Sequence, residues 1–132
     1  MSDYTTKQID EMEAAFGGGL KKARAELGVE SFGMQVIDLP PNYNDYPEQD
    51  HESDGQEEVY SVMRGSGEID VEGERIVLTP DVLVRVGPAT KRKIYSGTDG
   101  LRLLALGGTP GAAYEAAEFT ELTGASAYDR LA

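Results

Sequence analysis

The residues best suited to chemistry lie in one stretch, PEQDHESDGQEEVYSVMRGSG, residues 47–67. It carries His51, the only histidine in the chain, set among carboxylates and followed by a strand-like run that ends at glycines. An imidazole in such a place has three uses: ligand to a divalent metal, acid or base in proton transfer, or polar loop residue held by its neighbours. Glu58 opens the strand-like run, with Tyr60 and Val62 on its own side. A carboxylate directed inward from there costs on the order of several kcal/mol unless a cation or hydrogen-bond donors meet it.

Other chemistries are excluded or weak. The chain has no cysteine, which removes disulfides, zinc-thiolate sites, iron–sulfur clusters and a thiol nucleophile together. GGGLKK has glycines and a lysine but neither a preceding strand nor a following Ser or Thr, so it reads as a helix break rather than a phosphate loop. Nothing places a particular serine beside His51, so no Ser-His-Asp arrangement is argued. With 24 Asp and Glu against 12 Lys and Arg, a net charge of -12, the summed field repels nucleic acid and anionic membranes. The N-terminal residues MSDYTTKQIDEME hold no basic segment followed by an apolar core, and the longest apolar runs fall far short of a bilayer span. A soluble, cytoplasmic protein without a membrane partner is the expectation.

The elements that must position His51 and Glu58 are mostly strands. Ile9, Met12, Phe16, Leu20, Ala23 and Leu27 recur at helical spacing, interrupted by Gly17–Gly19, which predicts two short helical pieces, the second stopping at Gly28. SFGMQVIDL reads as a strand and PPNYNDYPEQDHESDG as an acidic loop, with Tyr43 and Tyr46 candidates for a pocket mouth. From residue 57 to 106, short strand signals alternate with turns, GSG after Met63 among them read as a hairpin turn. The tail from 111 to 132, rich in Ala and Glu, has room for one short helix and a mobile end. The pattern predicts an all-β sandwich or barrel, with no βαβ unit.

From about residue 32 to 108 the order of these features resembles the cupins, small jelly-roll barrels. Glu58 followed by VYSVMR and Gly65 fits the Glu and Gly of their first motif, GSGEIDVEGE the hairpin between motifs, and TPDVLVRVGPATKRKIYSG the second motif. The resemblance implies a cupin-type jelly-roll barrel at 31–110, a short helical segment at 1–30, a C-terminal tail at 111–132, and a homodimer. It places Gln49 and His51, or in a second register His51 and Ser53, on the family's His-x-His pair, and Arg92 on its third His. One histidine cannot supply the family's three-His, one-Glu metal set, and the Arg92 guanidinium has no lone pair to donate.

Two functions follow as expectations. The first is a small polar or anionic ligand bound in the barrel without a full metal site, on a floor of Gln49, His51, Glu58 and Arg92, with Glu58 and Arg92 forming a buried ion pair; His51 or Tyr60 would serve any acid–base step such as isomerisation. The second is a metal-dependent enzyme, for example a dioxygenase, holding a divalent transition metal on an incomplete set of His51, Glu58 and Gln49.

Overall fold

The computed structural model describes residues 2–124. Two minimal strands, β1 (Ala14–Ala15) and β2 (Leu20–Lys21), precede helix α1 (Ala23–Leu27) and the larger strands β3 (Gly33–Leu39), β4 (Glu57–Val71), β5 (Glu74–Leu78), β6 (Leu83–Val86) and β7 (Arg92–Gly108). All pairs are antiparallel in one seven-stranded sheet, ordered β1-β2-β3-β7-β4-β5, with β6 on the first part of β4.

The two long strands give the molecule its shape. The first half of β4 lies between β6 and the second half of β7, whereas the second half of β4 lies between β5 and the first half of β7. Both halves feed one core, in which Ile37, Tyr60, Val62 and Leu103 from one half meet Ile69, Leu78 and Ile94 from the other. The sheet therefore folds over on itself. It is not closed into the expected barrel: among the described residues no ladder joins β5 or β6 to the β1–β2 end, and the sheet folds over its core instead.

GSG is the hinge of this fold-over, not the expected hairpin turn. Residues 65–67 stay inside β4, where the ladder to β7 slips twice, between Val62 and Arg64 and between Gly65 and Gly67. Such bulges bend a strand and increase its twist. Gly65 sits at φ +84°, and a Cβ there would lie 2.2 Å from the Gly100 carbonyl oxygen. The true hairpin turn comes later, at Glu72 and Gly73, both with positive φ between Val71 and Glu74, the geometry that two-residue hairpins favour.

The N-terminal expectation is corrected in part. The helix does end at Gly28, whose left-handed φ of 79° lets its N–H reach the Arg24 and Ala25 carbonyls. Upstream, the apolar period gives two 3-10 turns, Ile9–Glu11 and Phe16–Gly18, and short strands, of which β2 pairs with β3 through Leu20↔Ile37 and Lys21↔Val36. The segment thus covers the β3 edge of its own chain.

The C-terminal segment returns over the N-terminal one. The Glu13 carboxylate, 4% exposed, accepts from Lys22 Nζ at 2.7 Å, Thr123 N at 2.7 Å and Gly124 N at 2.8 Å, while Lys22 Nζ also donates to the Glu121 carbonyl and Arg24 to the Glu121 carboxylate. Burial alone would raise the pKa of Glu13, but these donors hold it down at about 2. The expected short helix is one 3-10 turn, Glu118–Thr120; residues 125–132 of the tail lie outside those described.

The hinge is testable by substitution. Gly65→Ala combines a left-handed backbone with a backbone clash and is expected to cost about 2–5 kcal/mol. Gly73→Ala shares the left-handed backbone, φ +94°, but meets nothing within 4 Å; it should cost about 1–2 kcal/mol. Equal losses in urea unfolding would show that the close approach at the hinge is unimportant.

Candidate functional site

Alternation along paired strands writes the inner face as rows. One row reads Gly33, Gly107, Glu58, Val86; the next Gln35, Ala105, Tyr60, Val84; a third Ile37, Leu103, Val62. The third is apolar throughout and closes the floor. In the first two, the middle of the sheet carries Gly or Ala, and above them opens a cavity of about 400 Å³. Side chains fill part of the space these small residues leave: a Cβ on Gly107 would sit 2.8 Å from Gln56 Oε1, and one on Gly33 would sit 3.0 Å from the Tyr114 ring.

The sequence placed His51 and Glu58 together, and the structure does so through the loop 40–56. His51 N donates to the Pro88 carbonyl at 2.7 Å, and Gln49 exchanges backbone hydrogen bonds of 2.9 Å with Arg92, so the loop runs as an added strand beside β7. His51 then projects over β4. Its Nε2 lies 3.2 Å from Glu58 Oε1 and its Nδ1 3.0 Å from Asp54 Oδ2. The Tyr60 hydroxyl donates to the same Glu58 oxygen, and Gln49 Nε2 lies 3.5 Å from that hydroxyl. Among the described residues, Glu58 Oε2 has no partner.

These contacts separate the charges. The hydrogen bond to Glu58, reinforced by both carboxylate charges, raises His51 to about 9 although burial opposes it, so the ring is an imidazolium at neutral pH. Burial pushes Glu58 up, yet donation from His51 and Tyr60 outweighs it and holds the carboxylate below its ordinary value. Asp54 is also held low: burial opposes, and the His51 ring and the Gln56 N–H overcome it. Tyr60 is pushed far up by burial and by the neighbouring Glu58 charge.

The expected Glu58–Arg92 ion pair is absent. Arg92 is 0% exposed, but its NH2 donates to the Gly87 carbonyl at 3.1 Å and the Val86 carbonyl at 3.4 Å, while Nε and NH1 meet no acceptor among the described residues. Glu58 finds its cation in His51 instead, which reaches it from the loop side. Neither Arg92 nor Tyr60 lines the cavity; Gln49, His51, Glu58, Ser53 and Tyr46 do. Tyr60 is therefore a positioning residue behind the carboxylate, and Tyr43 packs on the core instead of the mouth.

Sequence reading missed Asp54, Gln35, Gln56, Tyr114 and Phe119, all on the cavity wall. Asp54 had a visible signal, three residues after His51 and just before Gly55 in a turn-forming run. Tyr114 and Phe119 had none, since no periodicity announces a segment that returns across a fold.

As a donor set for a divalent ion these residues fit poorly. Both His51 nitrogens face carboxylates, which compete with a metal for the ring, and the wholly buried Arg92 guanidinium adds positive charge that is felt at Glu58. Among the described residues no group of three or more His, Cys, Asp or Glu is arranged to hold a metal.

No protein-family model matches the sequence, and no curated protein matches it. Solved structures do. A cupin protein from Bacteroides fragilis superposes with a TM-score of 0.67 at 22% identity, covering 93% of this chain and 98% of its own. A sugar phosphate isomerase from a cupin superfamily, from Silicibacter pomeroyi, gives 0.60 at 16% identity over 75% and 70%. KdgF from a Halomonas species gives 0.53 at 13% over 80% and 84%. The folded-over antiparallel sheet is thus that of a cupin: this chain has the cupin fold. Among the described residues no helix is long and apolar enough to cross a membrane.

With one histidine in the chain, its titration is read without assignment in a proton NMR spectrum. The midpoint is expected near 9, and Glu58→Gln should bring it back toward the ordinary value. Because folding raises this value from 6.5 to about 9, the stability it contributes is complete below 6.5 and is lost as pH rises through about 9. The loss is roughly 3 kcal/mol. Glu58 works on the other limb, its contribution being lost as pH falls through its lowered value. A wild-type midpoint at 6.5 would refute the His51–Glu58 contact.

Proposed function

We propose that this is a small-molecule-binding cupin whose cavity works without a metal and takes a polar organic ligand against His51, Glu58, Gln49 and Gln35. The observation that carries the reading is the double engagement of the one histidine, Nδ1 on Asp54 and Nε2 on Glu58. A metal would have to displace a proton from a ring whose proton affinity both carboxylates raise.

The same engagement favours binding over catalysis. General acid–base groups work best when they titrate near the working pH. Here His51 is driven up to about 9 and Glu58 down, so both hold fixed charges at neutrality. The isomerase named among the structural neighbours acts on a sugar phosphate. That substrate class does not carry over easily, because no Lys or Arg lines this cavity to receive a phosphate.

Metal analysis of protein purified without a histidine tag tests the reading. Iron, nickel, zinc and manganese should be substoichiometric, and adding each should move the melting temperature by no more than about 1 °C. Stoichiometric metal that disappears in His51→Ala would favour the metal-dependent enzyme.

A further inference from the structure

Two polar side chains on the cavity wall are more than nine-tenths buried and have atoms with nothing to bond. Tyr46 is 7% exposed and Gln56 8% exposed, and both line the cavity. Among the described residues, the Tyr46 hydroxyl and the Gln56 side-chain amide meet no hydrogen-bond partner. They differ from the Gln35 oxygen and the Arg92 nitrogens, which are sealed inside the protein: their surface is open to the cavity. A ligand that displaces water from such groups must replace its hydrogen bonds, and each one left unmade lowers affinity about tenfold.

Both groups stand near Glu58. Gln56 and Glu58 meet over Gly107, where an added Cβ would lie 2.8 Å from Gln56 Oε1 and 3.4 Å from Glu58 Cγ. Burial, and then the charge of Glu58, push the Tyr46 phenol up, so its hydroxyl keeps its proton and donates. Gln56 offers a carbonyl and N–H groups side by side.

The charges around them are already engaged. His51 faces Asp54 and Glu58, the Asp50 carboxylate accepts from the Glu52 N–H, and no Lys or Arg lines the cavity. An ammonium has no lone pair for the Gln56 N–H groups or the Tyr46 hydroxyl, and a carboxylate has no N–H for the Gln56 carbonyl. A neutral group that both donates and accepts serves all of them.

Other parts of the wall are apolar: Leu20, Met34 and Ile37, with Phe16 and Phe119, whose ring centres are 5.7 Å apart. A polyol would turn hydroxyls toward these and leave them unmet. One polar edge on an apolar body leaves none. Of the neutral edges, a carboxamide meets the Gln56 pair with two parallel hydrogen bonds, whereas a hydroxyl meets one at a time.

We infer that the ligand of this cavity is a neutral carboxamide on an apolar or aromatic body, its amide edge received by Gln56 and its carbonyl by the Tyr46 hydroxyl. This rests on the binding reading above and names the class of ligand. In this arrangement the ligand N–H donates to Gln56 Oε1, the ligand carbonyl accepts from Gln56 Nε2 and from Tyr46, and the body packs on the apolar wall.

The test is a set of four probes of nearly one shape, benzamide, benzamidinium, benzoate and acetophenone, titrated by calorimetry at pH 7 into the full chain. Benzamide should bind about tenfold tighter than either ion and than acetophenone, which keeps the carbonyl but has no N–H. Gln56→Leu should bring benzamide down about tenfold, to the level of acetophenone. Tyr46→Phe should weaken benzamide and acetophenone alike, about fivefold, because both present the carbonyl. The order among the probes is read in the wild-type chain, so it stands as a test even where a variant fails to fold. An ion that binds as tightly as benzamide, or a preference for benzamide over acetophenone that survives Gln56→Leu, overturns the assignment while the binding reading stands. Silence from all four probes overturns the assignment too, whereas stoichiometric metal in the purified protein is what overturns the reading beneath it.

Discussion

The site is organised by a single half-buried carboxylate. Strand alternation in β4 points Glu58 inward on the same face as Tyr60 and Val62, onto the cavity wall beside the core, where a charge needs partners. Its neutralisation recruits distant parts of the chain. Tyr60 donates from the same strand, and His51 arrives from a loop that must be laid against β7 to deliver it. Asp54 then orients the far side of the ring. The order of charges along this line, negative, positive, negative, is what makes each member costly to remove alone.

Most of the strand content was legible, because turns and alternation are local signals. Inward placement of Glu58, Tyr60 and Val62 followed from period two alone. One misreading came from glycines taken as a chain reversal. Gly65–Gly67 lies instead within a strand that continues past it, and period analysis cannot tell a bulge from a turn when both need glycine. The Arg92 error has another origin. The resemblance put Arg92 on the inner side, where it is buried, but a long side chain has several acceptors within reach, and it takes the carbonyls of Val86 and Gly87. Which partner a buried arginine takes is decided by loop geometry that no spacing rule encodes.

A second charged cluster, far from the first, joins the two ends of the described chain. Glu13 and Lys22 are almost wholly buried, and their pairing would gain little were it not completed by the backbone N–H groups of Thr123 and Gly124 and the carbonyl of Glu121. With every charge given several partners, the cluster acts as a clasp that fixes the returning segment across the small N-terminal strands.

That clasp also secures the cavity wall. Tyr114, Phe119 and Thr120 form part of the cavity wall, yet they follow every strand in the sequence, and the contact that secures them spans 99 residues. This part of the wall is thus built by residues that come after every strand, and it is held to the fold by contacts of long sequence separation, whose loop closure is costly in chain entropy. The cavity therefore depends on both ends of the described chain, although its floor is made by the middle.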